Sequence, residues 1–403
     1  MNAGAQAEDT GELPLEGVLV VALEQAVAAP LATRHLADLG ARVIKIERIG
    51  EGDFARDYDG AVNGLASHFV WLNRSKESVC VDLKSAEGLA LVRSLLGKAD
   101  VFVQNAAPGA AGRLGLDSAE LRAEHPGLVV VNISGYGSHG PMRDRKAYDM
   151  LIQAETGLIS VTGTPETATK TGVPSADIAA GLYACNSVLG ALFRRERTGH
   201  GATIDVSMFD ATVEWLGHPM YMRMYAEQQI PRMGLSHASI APYDAYPTKD
   251  GQILIGVQND RGWRRLVTEV FEHPELADDP RFRTNVLRVA HRADCDSAVA
   301  DHTSIWSTEE LGQRLAEAGI PAAQLNDMAG LIDHPQLSSR DRWREVSTSA
   351  GPIRAVLPPM TYRDVELRMD EVPALGQHTG SVLAELGLPA DEVDELRRRH
   401  VVQ

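Results

Sequence analysis

Cysteine is scarce in this chain: three residues in 403, Cys80, Cys185 and Cys295, far apart and with no CxxC pair. That spacing argues against a disulfide framework and against a zinc site, and it favours a reducing, cytoplasmic setting. Positive charge is also short, with 39 Lys and Arg against 55 Asp and Glu and a net charge of -16. So acidic a chain is not expected to bind nucleic acid or an anionic membrane non-specifically, although a local basic pocket remains compatible with it. Long apolar runs are missing as well. No stretch of about 18 apolar residues stands out, so no membrane span is expected. The opening "MNAGAQAEDTGELP" has neither a basic start nor an apolar run, so no signal peptide is expected, and residues 1–11 read as a disordered tail. The strings GxxxxGK[ST], HExxH and GxSxG are absent, and the 13 histidines do not cluster at metal-ligand spacing.

What is present is ordinary in bulk and ordered in pattern. Apolar residues make up 44% and charged residues 23%, as in a soluble globular protein. A chain of 403 residues exceeds what one core usually supports, so two domains are expected. Short β-branched runs recur at 18–23, 41–47, 78–83, 100–105 and 128–134. Near-continuous apolar runs of that length suit parallel strands buried on both faces. Between them "PLATRHLADLG" (30–40) and "SAEGLALVRSLLGKAD" (85–100) have helical spacing, which predicts βαβ units in a doubly wound α/β sheet. Further on, "YDMLIQAETGLIS" reads as a helix, "ADIAAGLYACNSVLGALFRRE" as a buried Ala- and Gly-rich helix, and "GATIDVSM" as one more strand. The texture changes near Trp215. A hairpin turned at Lys249–Asp250–Gly251 and helices at "RGWRRLVTEVF" and "STEELGQRLAEAG" define a smaller domain at 221–330. The larger domain is expected to combine 1–220 with 331–403, closed by one or two helices in "SVLAELGLPADEVDELRRRH".

"GYGSHG" (135–140) matches GxGxxG after a strand, but "PMRDRK" follows where a dinucleotide fingerprint should open a helix, so it reads as a glycine turn. Arg48, Lys84 and Arg113 each follow a strand. Ligands in open α/β sheets bind outside the carboxyl ends of the strands, where such charges suit a polyphosphate. Two carboxylates stand out. Glu166 lies in the polar turn "SVTGTPETATKTG" between two helical patterns, and Asp149 opens a helix, a common place for a negative charge. Each also reads as an ordinary surface acid.

Together these segments resemble the family III CoA-transferases, the CaiB/BaiF group that includes formyl-CoA transferase. The resemblance rests on "LADLGARVIKIERIGEGD" (36–53), "NRSKESVCVDLKSAEG" (73–88), "VQNAAPGAAGRLG" (103–115), "ISGYGSHGP" (133–141), "YDMLIQAETGLISVTGTPE" (148–166), "SADIAAGLYA" (175–184), "SHASIAPYDAYPTKDG" (236–251) and "LGQHTG" (375–380), in family order. It implies a Rossmann-like domain built from both chain ends, a smaller α+β domain and an interlocked homodimer. It also implies catalysis with no metal and no permanently bound cofactor. A carboxylate attacks an acyl-CoA thioester, forms a mixed anhydride, and passes CoA through an enzyme thioester to an incoming acid.

The resemblance places the nucleophile at Glu166, where the family usually has aspartate. It implies CoA contacts at Arg48, Val81, Lys84, Asn105, Ala106 and Arg113, and a turn beside the pantetheine from Ser134 through Tyr136 to Gly137. Val27, followed by Ala28, stands where several relatives have glutamine near the acyl group. "GVQNDRGW" (256–263) replaces a glycine-run lid. Both differences point away from formate and oxalate, and "SHASIAPYDAYPTKDG" (236–251) resembles relatives that handle larger dicarboxylic acids such as succinate and glutarate derivatives. The alternatives are a 2-methylacyl-CoA racemase, using Asp149 with His125 as a conceivable acid–base partner, and a CoA-binding protein without turnover.

Overall fold

The computed structural model describes residues 12–403; the tail expected at 1–11 lies outside the described residues. The chain divides into two compact units. The first comprises residues up to Leu158 with Thr171–Gly217 and Asp341–Gln403; the second comprises Ile159–Lys170 and His218–Arg340.

The first unit is built on a six-stranded sheet: β1 (Leu19–Leu23), β2 (Arg42–Glu47), β3 (Lys76–Cys80), β4 (Val101–Gln104), β5 (Val129–Ser134) and β6 (Thr203–Ser207). The spatial order is β3-β2-β1-β4-β5-β6 and every pairing is parallel. Alternate residues serve opposite faces, as the period of a strand requires. Val20, Val101 and Val129 join the core beneath the helices Ala28–Asp38 and Ser175–Thr198. Val21, Phe102 and Val130 join the core beneath Ala86–Leu96 and the late residues Val382, Leu383, Val393 and Leu396. The two faces explain why these strands read as unbroken apolar runs.

Three details differ from the sequence-based reading. Strand β3 spans Lys76–Cys80 and not 78–83; Val81 still donates its N–H to Glu47 O at 3.0 Å and bridges Val402. Helix Ser175–Thr198 is long and apolar enough to cross a membrane by length and composition, which corrects the expectation that no such segment exists. Small residues let it pack closely here: a Cβ on Gly181 would stand 2.6 Å from the Ala28 carbonyl oxygen. A hairpin, β10 (Trp343–Val346) with β11 (Ile353–Val356), was not anticipated.

In the second unit β7 (Tyr243–Pro247), β8 (Gln252–Gly256) and β9 (Ala322–Gln324) form an antiparallel sheet. Its hairpin turns where Lys249–Asp250–Gly251 placed it, and Asp250 Oδ1 accepts from Thr308 N at 2.8 Å to anchor the helix Thr308–Glu317. Tyr246, Ile255, Trp263, Phe282 and Leu311 form its core. The segment Ile159–Lys170, expected within the large domain, clusters with this unit. Gly234 N donates to Gly163 O, and the Arg232 guanidinium donates to the Thr164 and Pro165 carbonyls, both at 2.9 Å.

Candidate active site

Strands β1 and β4 are neighbours whose onward connections leave in opposite directions, and that reversal opens a crevice at their carboxyl ends. A cavity of about 720 Å³ occupies it. Its walls are segments at the carboxyl ends of the first four strands: 23–25 at the end of β1, residues between 46 and 53 at the end of β2, 81–84 after β3, and Ala106, Ala107 and Ala110 after β4, with His400 on one side. Four of the residues named from sequence, Arg48, Val81, Lys84 and Ala106, line it. Arg48 is exposed, with a guanidinium nitrogen 3.3 Å from Gln25 Oε1.

Asn105 works one step back. Its side chain accepts from Gln25 N at 2.9 Å and donates to Gln25 O at 2.8 Å, locking the ends of β1 and β4 together. Arg113 folds onto its own loop, donating to Pro108 O at 3.3 Å, and does not line the cavity. Ser134, Tyr136 and Gly137 form a turn after β5, also outside the cavity lining, in which Ser134 Oγ accepts from Gly137 N at 3.0 Å. Gly137 has φ +91°, a conformation glycine tolerates, and no helix follows before Asp149, so "GYGSHG" is a turn.

The cavity floor is ionic, and the sequence reading missed it. Glu24, Lys45, Asp53 and Lys76 are buried together. Lys76 Nζ lies 2.7 Å from Glu24 Oε1, Lys45 Nζ 2.8 Å from Asp53 Oδ2 and 3.4 Å from Glu24 Oε1, and Thr33 Oγ1 donates to Glu24 at 2.6 Å. Burial opposes every charge here, yet the two ammoniums hold Glu24 below the usual carboxylate range, and the surrounding carboxylates raise Lys45. Lys76 goes the other way: burial, opposed by Glu24 and reinforced by Lys45, brings it down to about 8. Beside them Glu47, bound by Arg56 at 2.7 Å, is held at about 2 in spite of its burial. A lysine in the middle of the apolar run "VIKIE" was the available signal.

From this floor the backbone leads to two carboxyl groups. Asp53 Oδ1 accepts from Ala26 N at 3.0 Å and holds Ala26 at φ +63°. Val27 and Ala28 then start a helix and are buried, outside the cavity lining. The Ala28 N–H lies near enough to the Asp177 carboxyl to favour its charged form. Asp177 sits in the first turn of Ser175–Thr198, beside Asp149, whose Oδ1 accepts from Ala176 N at 2.7 Å and Asp177 N at 3.3 Å. Gln153 Nε2 donates to Asp149 Oδ2 at 2.6 Å, while Gln153 Oε1 accepts from Thr171 N at 3.0 Å and so fixes the amide's orientation. Burial first, and the Asp149 charge second, push Asp177 up to about 7.

Glu166 belongs to the second unit, exposed at the tip of a tight turn in which Thr164 N donates to Thr167 O at 3.0 Å and Thr167 N returns to Thr164 O at 3.2 Å. The polar, glycine-flanked stretch is accounted for by that turn: a Cβ on Gly163 would stand 2.2 Å from Thr167 O. His125 does not partner Asp149. It precedes β5 at the amino end of the sheet, whereas the first turn of Ser175–Thr198, which leads on to the start of β6, lies at the carboxyl end.

An apolar-walled cavity with basic groups at its rim can hold a nucleotide-like anion, and a carboxylate fixed by three N–H donors can act as a nucleophile or a base. Comparison with known proteins gives the family. Residues 15–379 match CoA-transferase family III. The chain is 33% identical over 380 residues to a human succinyl-CoA:glutarate CoA-transferase, covering 93% of this chain and 86% of the relative. It is 36% identical over 330 residues to an acetyl-CoA:oxalate CoA-transferase from Acetobacter aceti, covering 81% and 85%. Among solved structures, a CAIB/BAIF family protein from Brucella suis superposes with a TM-score of 0.83 at 35% identity, covering 93% of this chain and 99% of that one.

Proposed function

Because this chain belongs to CoA-transferase family III, and is therefore an acyl-CoA-dependent transferase, we propose that it moves CoA from an acyl-CoA donor to a small dicarboxylic acid, with Asp149 as the covalent nucleophile. The carrying observation is the continuous path from the cavity through Ala26, Val27 and Ala28 to Asp177 and Asp149. The CoA nucleotide would occupy the cavity with Arg48 and Lys84 at its phosphates, and the thioester would extend along that path. Relatives named for succinate with glutarate, and for succinate with D-citramalate, support a dicarboxylic acceptor. The oxalate enzyme keeps a shorter acid in the panel.

In this reading Asp149 attacks the thioester carbonyl and CoA leaves as thiolate, giving a mixed anhydride. The thiolate attacks the aspartyl carbonyl, releases the donor acid and leaves an aspartyl-CoA thioester. The acceptor carboxylate repeats the sequence in reverse, ending with a new acyl-CoA and free Asp149. Backbone N–H groups at 176 and 177 and in the turn 134–137 suit the stabilisation of negative oxygen. Both Glu166 and Asp149 have the required chemistry. The geometry favours Asp149, whose carboxylate is oriented by Ala176, Asp177 and Gln153, over Glu166 on its exposed turn.

A homodimer is part of the proposal. Tyr148 and Phe193, each 67% exposed, and Met150, Leu151, Leu182 and Trp215 in the first unit are large apolar side chains exposed on the single chain, which supports a partner copy covering some of them. A cytoplasmic setting suits the three free, buried thiols. The test of the chemistry is peptide mass spectrometry after mixing with succinyl-CoA and quenching with hydroxylamine. A hydroxamate on Asp149, lost in Asp149→Asn, is expected. One on Glu166 instead would move the nucleophile there. Solvent deuterium entering the α-carbon without CoA exchange would support a racemase, and binding of CoA without either reaction would support a non-catalytic protein.

A further inference from the structure

The C-terminal helix Ala390–Arg398 closes in a tight turn: His400 N donates to Arg397 O at 3.0 Å and Val401 N to Leu396 O at 2.9 Å, with Leu396 and Val401 both in the core. A helix that ends this way puts the residue after its cap in the left-handed region, where glycine is the usual occupant because it has no Cβ to clash. Here that residue is His400, at φ +53°. The backbone gains nothing from an imidazole at such a position and is strained by holding one.

What the imidazole gains is a place on the wall of the cavity. The residues after it fix it there. Asp82 N donates to Val401 O at 2.9 Å, Val81 bridges Val402, and Gln403 Oε1 accepts from Gly50 N at 2.8 Å. These contacts join the chain end to the segments that carry Arg48 and Lys84. The three arginines before His400 are each matched to a carboxylate: Arg397 to Asp394 at 3.1 Å, Arg398 to Glu395 and Arg399 to Glu87. The His400 ring itself makes no hydrogen bond or ion pair among the described residues.

Among the described residues that line the cavity, three can carry a positive charge: Arg48, Lys84 and His400. The carboxylates beside them are answered within the protein. Glu24 and Asp53 are bound by Lys76 and Lys45, and Glu47 by Arg56. Glu51 lies 3.7 Å from Arg48, and Asp82 Oδ1 accepts from Lys84 N at 3.0 Å. The three cationic groups lie toward β2 and the edge strand β3, whereas the flank after β4 is apolar, with Ala106, Ala107, Ala110 and Leu114. The nucleotide of CoA divides in the same way, into a flat base and a ribose that bears a diphosphate and a separate phosphate monoester. The base suits the apolar flank, and the phosphates suit the other.

We propose that His400 binds the ribose phosphate of CoA, so that the last turn of the chain separates CoA from a nucleotide lacking that group. The proposal rests on the reading of the cavity as the CoA site, and not on which carboxylate takes the acyl group. A neutral imidazole offers one N–H donor to a phosphate oxygen, and a protonated one offers two together with a charge. Arg48 and Lys84 are left with the diphosphate.

The test is calorimetry on the full-length protein with two probes, CoA and 3′-dephospho-CoA. His400→Asn keeps the left-handed turn with a shorter side chain that cannot carry the charge, and His400→Gly relieves the turn. Each should weaken CoA binding about tenfold and change dephospho-CoA binding by less than about twofold, as the loss of one charge-assisted hydrogen bond requires. His400→Gly should leave the urea midpoint equal or higher, so that affinity and stability move apart. Equal losses for both probes, or no loss for either, would overturn the assignment. So would a loss of CoA binding that appears only together with a fall in the urea midpoint. Arg48→Ala and Lys84→Ala separate that failure from failure of the site. If CoA binding ignores both substitutions, the nucleotide does not occupy the cavity, and the proposal falls with that reading.

Discussion

Replacing Glu24 by glutamine tests the ionic floor of the cavity. Glu24, Asp53, Lys45 and Lys76 are two acids and two bases whose side chains have no exposed surface, so their buried charges sum to zero. The amide of Glu24→Gln would keep the shape and the Thr33 contact, but the Lys76 ammonium 2.7 Å away would face an uncharged group. One buried positive charge would then lose its counterion. Breaking a buried pair by removing one partner costs about 3–5 kcal/mol. That is a large part of the roughly 5–15 kcal/mol by which a domain is stable. With a urea slope of about 1–3 kcal/mol per molar, the midpoint at pH 7 should fall by about 1 M or more.

The pH dependence supplies a second check. Lys76 is held at about 8, below its ordinary value of 10.5, so between those values the unfolded chain binds a proton that the folded chain has released. Stability should therefore rise with pH across that window. Without Glu24, Lys76 loses its proton below 8, and the deficit of Glu24→Gln should shrink between pH 7 and pH 9. A midpoint within about 0.2 M of the parent protein at pH 7, on that same slope scale, would refute the reasoning. So would a deficit that stays constant up to pH 9.

Other expectations follow from single contacts. Arg48→Ala and Lys84→Ala should each weaken CoA binding roughly tenfold in calorimetry at low salt, with a smaller loss at high salt. Gly135→Ala should destabilise by about 1–3 kcal/mol in urea unfolding, because its Cβ would stand 2.1 Å from Ala147 Cβ. Gly190→Ala, with open space around the new atom on an exposed helix face, should stabilise by up to about 1 kcal/mol by the same measurement. Glu47 is held at about 2 against an ordinary value of 4.5, so its contribution is complete above 4.5 and lost as pH falls through 2. Glu47→Gln should flatten that part of the acid unfolding curve.

Much of the fold was legible because it is written in local period. The β-branched runs at 18–23, 41–47, 100–105 and 128–134 became β1, β2, β4 and β5 within a residue at each end, since burial on both faces leaves a continuous apolar signal. The hairpin Trp343–Val346 with Ile353–Val356 was not legible: its strands are four residues each, with arginine and glutamate interleaved. The cavity rim at Arg48, Val81, Lys84 and Ala106 could be located, being the ends of recognisable strands. Its floor could not, because Glu24 and Lys76 are 52 residues apart and nothing local links them. For the same reason Asp177 passed as one letter of a helix start, although it lies beside Asp149, 28 residues earlier in the chain.

The wall that includes His400 has a bearing on how binding and folding are linked. The Gly50 N–H is held by the side chain of Gln403, 353 residues away, and Asp82 N donates to Val401 O beside the Val81–Val402 bridge. Those contacts close one very long loop, and the entropy of closing it grows only with the logarithm of its length. A nucleotide that touches 48–53, 81–84 and His400 together binds the docked arrangement of these segments and not the undocked one. Ligand concentration then sets how often the last turns detach. The same segment, 400–403, that helps close the pocket is thereby steadied by what the pocket holds.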